Sequence, residues 1–560
     1  MRVSSRALYS ITVTKTLQKF ITGLRNYWPL ILVTVFFSLF YITYINLFNS
    51  DLGRHITNGR EILSGQTAML TTNYYSYTQT EFNFINHHWL FGVFVYLINQ
   101  LGGFTLLTVS TVVLHTVAFG FILATALRNT TLQAVAQKET LRKSSIVAVL
   151  SFLCLPLFVH RTEVRPESIS LLFFAVYYFL FNGFSNHNTD QIFQKKWLIV
   201  SLLLLQVIWV NTHLFFILGP LLAGYFLFTR VLQVIAAHRN PLTDSSFLFW
   251  ITLTGLLFLV SVLNPNGLVG LLAPLNIFNN YAYRVAENQS TLFMIQYGAQ
   301  VPLHLYTLTL SIGTGIFSLL LLLKKRRNLI QTLPNILLVG IFIFLANKIN
   351  RMSPFLGVVI IPFFAQYTLE EITRFWEKKK QLLDNSFILM SFSTILFMSV
   401  VSILRIGIFT PQLYSMGSGL IPQTHLAANF FLENKLTGPI FNNYDLGGYL
   451  TYTLFPKEKL FIDNRPEAYS SVFLETQYLA ALQNETTWQE ISQQYNINTI
   501  FFYRHDQIDG AQQFLYHRII DEDWIPVFVD TYTIIFVKNT QINKEIIEKH
   551  RLPQELFSIN

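Results

Sequence analysis

Apolar runs of membrane length, broken by short basic or polar links, occupy the chain as far as Arg405; beyond it charges return and the long runs stop. A helical crossing needs roughly 20 predominantly apolar residues. The runs predict helices over residues 28–48, 104–127, 145–159, 168–182, 197–211, 213–228, 246–263, 303–323, 330–346, 353–368 and 386–405, about 11 transmembrane helices. Thr212/His213 is the one joint where a single bent helix would replace two. A crossing by the apolar stretch Trp89–Leu101, which ends on Gly102-Gly103, would put the basic segment 128–143 outside, so it predicts a helix lying in the interface, with an ordinary short span as the alternative.

Basic residues orient these runs, because Lys and Arg are retained on the cytoplasmic side. Residues 1–27 carry Arg2, Arg6, Lys15, Lys19 and Arg25 with no acid, and no small-residue cleavage site follows the first run, which is therefore a retained helix. Further clusters stand at Lys138/Arg142/Lys143, Lys195/Lys196, Arg230/His238/Arg239, Lys324 to Arg327 and Arg374/Lys378/Lys379/Lys380. One assignment puts all of them inside. It makes 1–27 a cytoplasmic segment, 28–405 a membrane domain with an outer first loop over 49–103, and 406–560 an extracytoplasmic domain. In the last of these, 438–441, 459–462, 499–502 and 532–537 read as strands and 425–435, 446–455 and 485–495 as helices, an α/β layer pattern.

Composition agrees and narrows the class. With 52% hydrophobic and 12% charged residues the chain reads as a polytopic α-helical membrane protein, not a soluble enzyme. A net charge of +9 matches basic loops against anionic lipid and gives no reason to invoke nucleic acid. The one cysteine, Cys154, lies in an apolar run and excludes an internal disulfide, a zinc cluster or a redox pair.

The same orientation places the chemistry-bearing residues on one side. Asp51, Arg54, His55, His87 and His88 fall outside, as do His160, Arg161, Glu163, Arg165 and Glu167 at a hairpin tip. Asn211, His213, Asn264, Asn266, Arg284, Glu287, Lys348 and Arg351 join them. Polar groups gathered at helix ends on one face predict a shared cavity, since lipid would leave them unpaired. Plainer readings stand beside this one. The 161–167 tip serves equally as a self-neutralising turn, His213 as a hydrogen-bonding helix break, Asn264-Pro265-Asn266-Gly267 as a plain turn, and Arg351 as a residue reaching for headgroups. In the C-terminal domain, Asp445 and Asp463 each follow a predicted strand, where binding loops occur. Asp445 also reads as a helix cap, and Asp463 with Arg465 as an internal ion pair.

The order of these elements resembles the GT-C membrane glycosyltransferases. Asp51 to Ile62 matches an Asp followed by an Arg-His-Ile-x-x-Gly-x-x-Ile helix; Tyr74 to Thr78 and His88 to Leu90 fit the same first loop. Arg161 to Glu167 matches an Arg-Pro hairpin, Trp209 to His213 a Trp-x-Asn-x-His helix end, and Asn264 to Gly267 an Asn-Pro-x-Gly turn. Tyr444 to Leu450 and Phe461 to Arg465 match Tyr-Asp-x-Gly-Gly-Tyr and Ile-Asp-x-Arg elements. The first of these is also similar to the Trp-Trp-Asp-Tyr-Gly element of oligosaccharyltransferases, without its tryptophan pair.

The resemblance implies a GT-C-like fold. It also implies sugar transfer from a polyprenyl-phosphate sugar donor to a cell-envelope acceptor (glycan, lipid or protein), with inversion. Asp51 is then the base, with Glu163, Glu167 or Glu287 as a second acid; Arg161, Arg165, Arg351 and His213 meet the donor phosphate. Arg54, His55, His87, His88, Glu287, Tyr444, Asp445, Asp463 and Arg465 are the further substrate contacts. Asp51 has no adjacent acid, which leaves participation of a divalent cation open. A flippase for a lipid-linked glycan and a non-enzymatic membrane scaffold are the competing classes; the one-sided polar groups disfavour the first, and the missing acid supports the second. The orientation is directly testable: alkaline phosphatase fused after Asn560 is active and fused after His238 is inactive. The opposite pair of activities would invert the assignment.

Overall fold

The computed structural model describes residues 5–128, 137–185, 196–278, 283, 285–324, 329–378 and 415–557. Its N-terminal two thirds are helical: α1 Ser5–Leu39, α2 Leu52–Leu63, α3 Trp89–Arg128, α4 Gln137–Cys154, α5 Glu167–Ser185 and α6 Lys196–Thr212. There follow α7 Leu218–Ala236, α8 Ser245–Val260, α9 Thr291–Tyr297, α10 Val301–Lys324, α11 Leu329–Lys348 and α12 Ser353–Lys378. Among the described residues, 7 helices are long and apolar enough to cross a membrane, and α6 and α8 are apolar but shorter. The protein is a multi-pass membrane protein. The predicted helix over 386–405, and with it the boundary at 405/406, lies outside the described residues.

The first predicted span is shorter than its apolar run. Helix α1 stops at Leu39, and the residues after it run into the C-terminal domain. There Tyr44 N donates to Ser415 O (2.9 Å) and Ile45 N to Gly419 O (2.8 Å). Phe48 packs its ring 4.7 Å from Tyr449 and 4.8 Å from Tyr532. Burial against protein and burial in lipid leave the same apolar signal, so residues 42–48 read as membrane although they pair with and pack on the C-terminal domain.

The other expected breaks are present. Helix α3 is interrupted at Gly102 and Gly103, the latter at φ +62°, a conformation that favours glycine. The segment before the kink rises only about 20 Å. At Thr212/His213 the chain does divide: His213 is extended (φ −162°, ψ 145°). Gln206 Nε2 donates to Phe216 O (3.1 Å), and a side chain at Gly219 would meet Gln206 and Trp209, so the chain turns back there.

The C-terminal domain holds a mixed sheet of β1 Ile440–Asn442, β2 Thr499–Tyr503, β3 Trp524–Val529 and β4 Thr533–Lys538, in the order β1-β2-β4-β3. β1 and β2 are parallel and the other pairs antiparallel. Its helices include α13 Leu426–Glu433, α14 Gly447–Leu454, α15 Glu485–Gln494 and α16 Ala511–Ile520. Two strand expectations need correction. Lys459–Ile462 is not a strand of this sheet; Leu460 makes single bridges to Ile440 and to Ser76 of the first loop. β3 escaped notice because Pro526 interrupts its pattern, and such a proline is tolerated because β3 is an edge strand with an irregularity between Pro526 and Phe528.

Helix α2 locks the two regions together. Residues 52–59 are buried, and two glycines let backbones touch. A Cβ on Gly53 would stand 2.4 Å from Gly448 O of α14, and one on Gly59 would stand 2.2 Å from Gly92 O of α3. Neither clash has a flexible side chain to yield. Gly59→Ala therefore lowers the melting temperature of the purified protein, an overpacking cost of about 1–3 kcal/mol. Gly120→Ala, with no atom within 4 Å of the added carbon, leaves it unchanged or higher. Equal melting temperatures for both variants would contradict the clamp.

Candidate active site between the membrane helices and the C-terminal domain

A cavity of about 640 Å³ opens where helix ends of the membrane region meet the C-terminal domain. Helix α2 and its cap supply Asp51, Arg54 and His55; the first loop supplies His87 and His88. The membrane region adds Arg165, Glu167, His213, Glu287 and Arg351, and the C-terminal domain adds Tyr444 and Asp445. These sequence-predicted residues are thus brought together from positions hundreds of residues apart. Arg161, Glu163, Asp463 and Arg465 do not line the cavity.

Glu287 organises the cationic wall. Its Oε1 accepts from Arg161 Nη1 (2.7 Å) and pairs with Arg165 Nη1 (2.7 Å), while Oε2 pairs with Arg161 Nη2 (2.7 Å). Burial alone would raise the Glu287 pKa, but Arg161, Arg165 and Arg351 outweigh it and hold the carboxylate well below its usual range. The hairpin tip is therefore not self-neutralising: Arg165 reaches Glu163 only at 3.9 Å, and Glu163 is half exposed. Arg351 is more loosely held. Its Nη2 lies 3.7 Å from Glu287 and its Nη1 3.8 Å from Glu167, and its Nε has no hydrogen-bond partner.

The helix end around His213 is a relay of donors. Trp209 Nε1 donates to Ser170 Oγ (2.8 Å), and Ser170 Oγ is 2.8 Å from His213 Nδ1, which also accepts from Phe215 N (3.4 Å). With Nδ1 accepting, the proton sits on Nε2, which faces Glu167 at 4.0 Å in the cavity. Asn211 has a scaffolding task. It accepts from Trp89 Nε1 (2.8 Å) and donates to Leu263 O (2.9 Å). Asn264 closes its own turn, donating to Ser261 O and Gly267 O and accepting from Asn266 N.

The carboxylates Asp51, Asp445, Glu467 and Asp506 form an acidic part of the cavity wall. Asp51 is about one third open to the cavity, with Arg54 Nη2 at 3.7 Å. Burial pushes its carboxyl above the ordinary range, and Arg54 and Arg165 counter that only in part. Burial, with Asp506 and Asp51 nearby, pushes Asp445 up to about 7. Asp506 accepts from Asn443 Nδ2 (3.0 Å) and Ile508 N (3.0 Å), and burial raises Glu467. Sequence reasoning missed Glu467, Asp506, Asn464 and Tyr283 as lining residues. Signals existed for two of them: Glu467 shares the loop of Asp463 and Arg465, and Asp506 follows strand β2. Tyr283 stacks on Tyr444 with ring centroids 3.8 Å apart.

Asp463 and Arg465 are fully buried behind this wall. Arg465 Nη2 pairs with Asp463 Oδ2 and donates to Asn73 Oδ1 (2.8 Å), and its guanidinium lies over Phe84. They form the internal ion pair that fixes the loop, so that Asn464 accepts from Arg54 Nε (3.2 Å) and Glu467 faces the cavity. Among the described residues no three His, Cys, Asp or Glu side chains converge as a metal site, and the ion-pair partner of Asp51 is a guanidinium.

No protein-family model matches the chain, and no curated protein does. Solved structures do. Archaeal oligosaccharyltransferase AglB from Archaeoglobus fulgidus, solved with an inhibitory peptide and a dolichol-phosphate, is 11% identical with a TM-score of 0.55; the match covers 93% of this chain and 75% of AglB. ArnT from Cupriavidus metallidurans, bound to undecaprenyl phosphate, is 13% identical with a TM-score of 0.47 over 91% of this chain and 98% of ArnT. The likeness to AglB spans nearly the whole of this chain, so the chain has the fold of that oligosaccharyltransferase, in line with the fold expected from the sequence.

Proposed function

We propose that the protein transfers a sugar from a polyprenyl-phosphate-linked donor to a cell-envelope acceptor at the outer face of the cytoplasmic membrane, inverting the anomeric centre. One observation supports this reading: a single cavity is lined by the raised-pKa carboxylate of Asp51 together with Arg351 and His213, whose contacts to Glu167 and Glu287 are 3.7 Å or longer. That AglB was solved with a dolichol-phosphate supports it.

The roles follow from the geometry. The acceptor hydroxyl gives its proton to Asp51 as its oxygen bonds to the anomeric carbon, and the bond from that carbon to the phosphate oxygen breaks with its electron pair leaving on phosphate. A carboxylate of raised pKa is the stronger base for this step. The charge growing on the phosphate is met by Arg351 and by the Nε2 proton of His213. Arg161 and Arg165 are largely satisfied by Glu287, which makes them positioning residues that hold the cationic wall. Arg54 orients Asp51 against the loop of Asn464. A single displacement leaves no covalent sugar on the enzyme, hence inversion. Asp445, Glu467 and Asp506 face the acceptor side.

Two outcomes are expected. With purified protein and radiolabelled polyprenyl-phosphate sugars, wild type consumes donor only when acceptor is present. Asp51→Asn lowers the transfer rate by about 10²–10⁴-fold without lowering the melting temperature. Full activity in that variant would remove Asp51 from the chemistry, and donor translocation without consumption would favour a flippase. The second outcome concerns Asp445. The folded state binds its proton more tightly than the unfolded chain does, so its contribution to stability is complete below the ordinary aspartate value of 3.8 and is lost as pH rises through about 7. Asp445→Asn should therefore gain in melting temperature over wild type as pH is raised from 4 to 8. A difference that stays constant over that range would contradict the raised pKa.

A further inference from the structure

Helix α2 has a second working face. Asp51, Arg54 and His55 point into the cavity described above, while Ile56, Thr57 and Arg60, about half a helical turn around, line another cavity of about 370 Å³. Its remaining walls come from the segment of α3 before the glycine kink, from α13 and from α14. The lining is polar and free of carboxylates: Asn99, Gln100 and Asn429 supply amides, Tyr96 and Tyr452 hydroxyls, His425 an imidazole and Arg60 a guanidinium. Asn99 Nδ2 is buried there with no hydrogen-bond partner. Arg60 is fixed through Nε to Glu61 (2.9 Å) and through Nη2 to Phe455 O (3.2 Å), which leaves its Nη1 edge for a ligand.

The surroundings indicate what kind of ligand fits. Leu63 follows Arg60 by one turn of α2, Leu97 and Leu101 flank Asn99 and Gln100, and Leu426 and Leu432 flank Asn429 on α13. All five are exposed, Leu101 by 81%. These leucines adjoin α3, a helix long and apolar enough to cross a membrane, and Leu432 itself lines the pocket. A polar pocket with a guanidinium, a buried amide unpartnered among the described residues and exposed leucines on the elements that build it suits a molecule with a phosphodiester head, hydroxyls and apolar tails. We infer that this cavity binds the headgroup of an anionic glycerophospholipid of the surrounding bilayer, with the phosphodiester at Arg60 and Asn99 and the acyl chains on the leucine rim. Such a lipid would brace the face of α2 opposite the catalytic cavity.

The test uses full-length protein purified in detergent, titrated with phosphatidylglycerol, phosphatidylcholine or inorganic phosphate, with bound lipid counted by native mass spectrometry. Wild type should retain phosphatidylglycerol in preference to phosphatidylcholine, and inorganic phosphate should not displace it. Arg60→Gln and Asn99→Leu should each weaken retention by about tenfold, and Arg60→Lys should restore it. Equal retention by wild type and both variants, equal retention of the two lipids, no retained lipid, or displacement by inorganic phosphate would each overturn the site. Catalysis is not read in this experiment, so its failure leaves the glycosyl-transfer reading untouched.

Discussion

The backbone contacts of helix α2 are the constraint on which the rest depends. Gly53 against Gly448 and Gly59 against Gly92 bring three chain segments closer than any side chain would permit, and none of the backbone atoms involved can rotate away. The helix is thereby fixed in both translation and rotation, and its rotation decides which residues enter the cavity. Asp51, Arg54 and His55 face it because the glycine contacts leave that face free. The first loop adds to the lock, with Leu460 N donating to Tyr75 O and Tyr77 N to Leu460 O, both at 3.0 Å. The membrane region and the C-terminal domain therefore share one site, and neither contains it alone.

Within that frame, electrostatics divides the labour. Glu287 gathers three arginines on one wall and leaves Arg351 the most loosely held of them. The same cavity holds Asp51, Asp445, Glu467 and Asp506, whose pKa values burial raises. The proposed transfer draws on both sets, cations for the leaving anion and a carboxylate for the proton.

Much of this was legible in the sequence for a physical reason. Lipid forbids unpaired polar groups, so polar residues at helix ends on one side had to converge, and most of the predicted ones do. The break at His213 and the kink at Gly102-Gly103 were readable because local residues alone decide them. What was not legible depends on tertiary partners. Residues 42–48 carry an apolar signal that does not say whether lipid or protein covers it. Strand β3 was hidden by Pro526, which only its edge position tolerates. The pairing of Arg161 and Arg165 with Glu287, more than 120 residues away, has no local trace. Asp463 and Arg465 had two readings of equal local merit, and burial behind the wall selects the internal ion pair.

In the proposed reaction one cavity holds the donor phosphate against Arg351 and His213, with Asp51 beside the anomeric carbon. A cryo-EM structure of the protein with a polyprenyl-phosphate sugar bound is the decisive measurement. Phosphate density is expected within hydrogen-bonding distance of Arg351 and of His213 Nε2, with the sugar's first carbon facing Asp51. Phosphate bound on the far side of α2, or in the cavity but away from Arg351 with the sugar turned from Asp51, would contradict it.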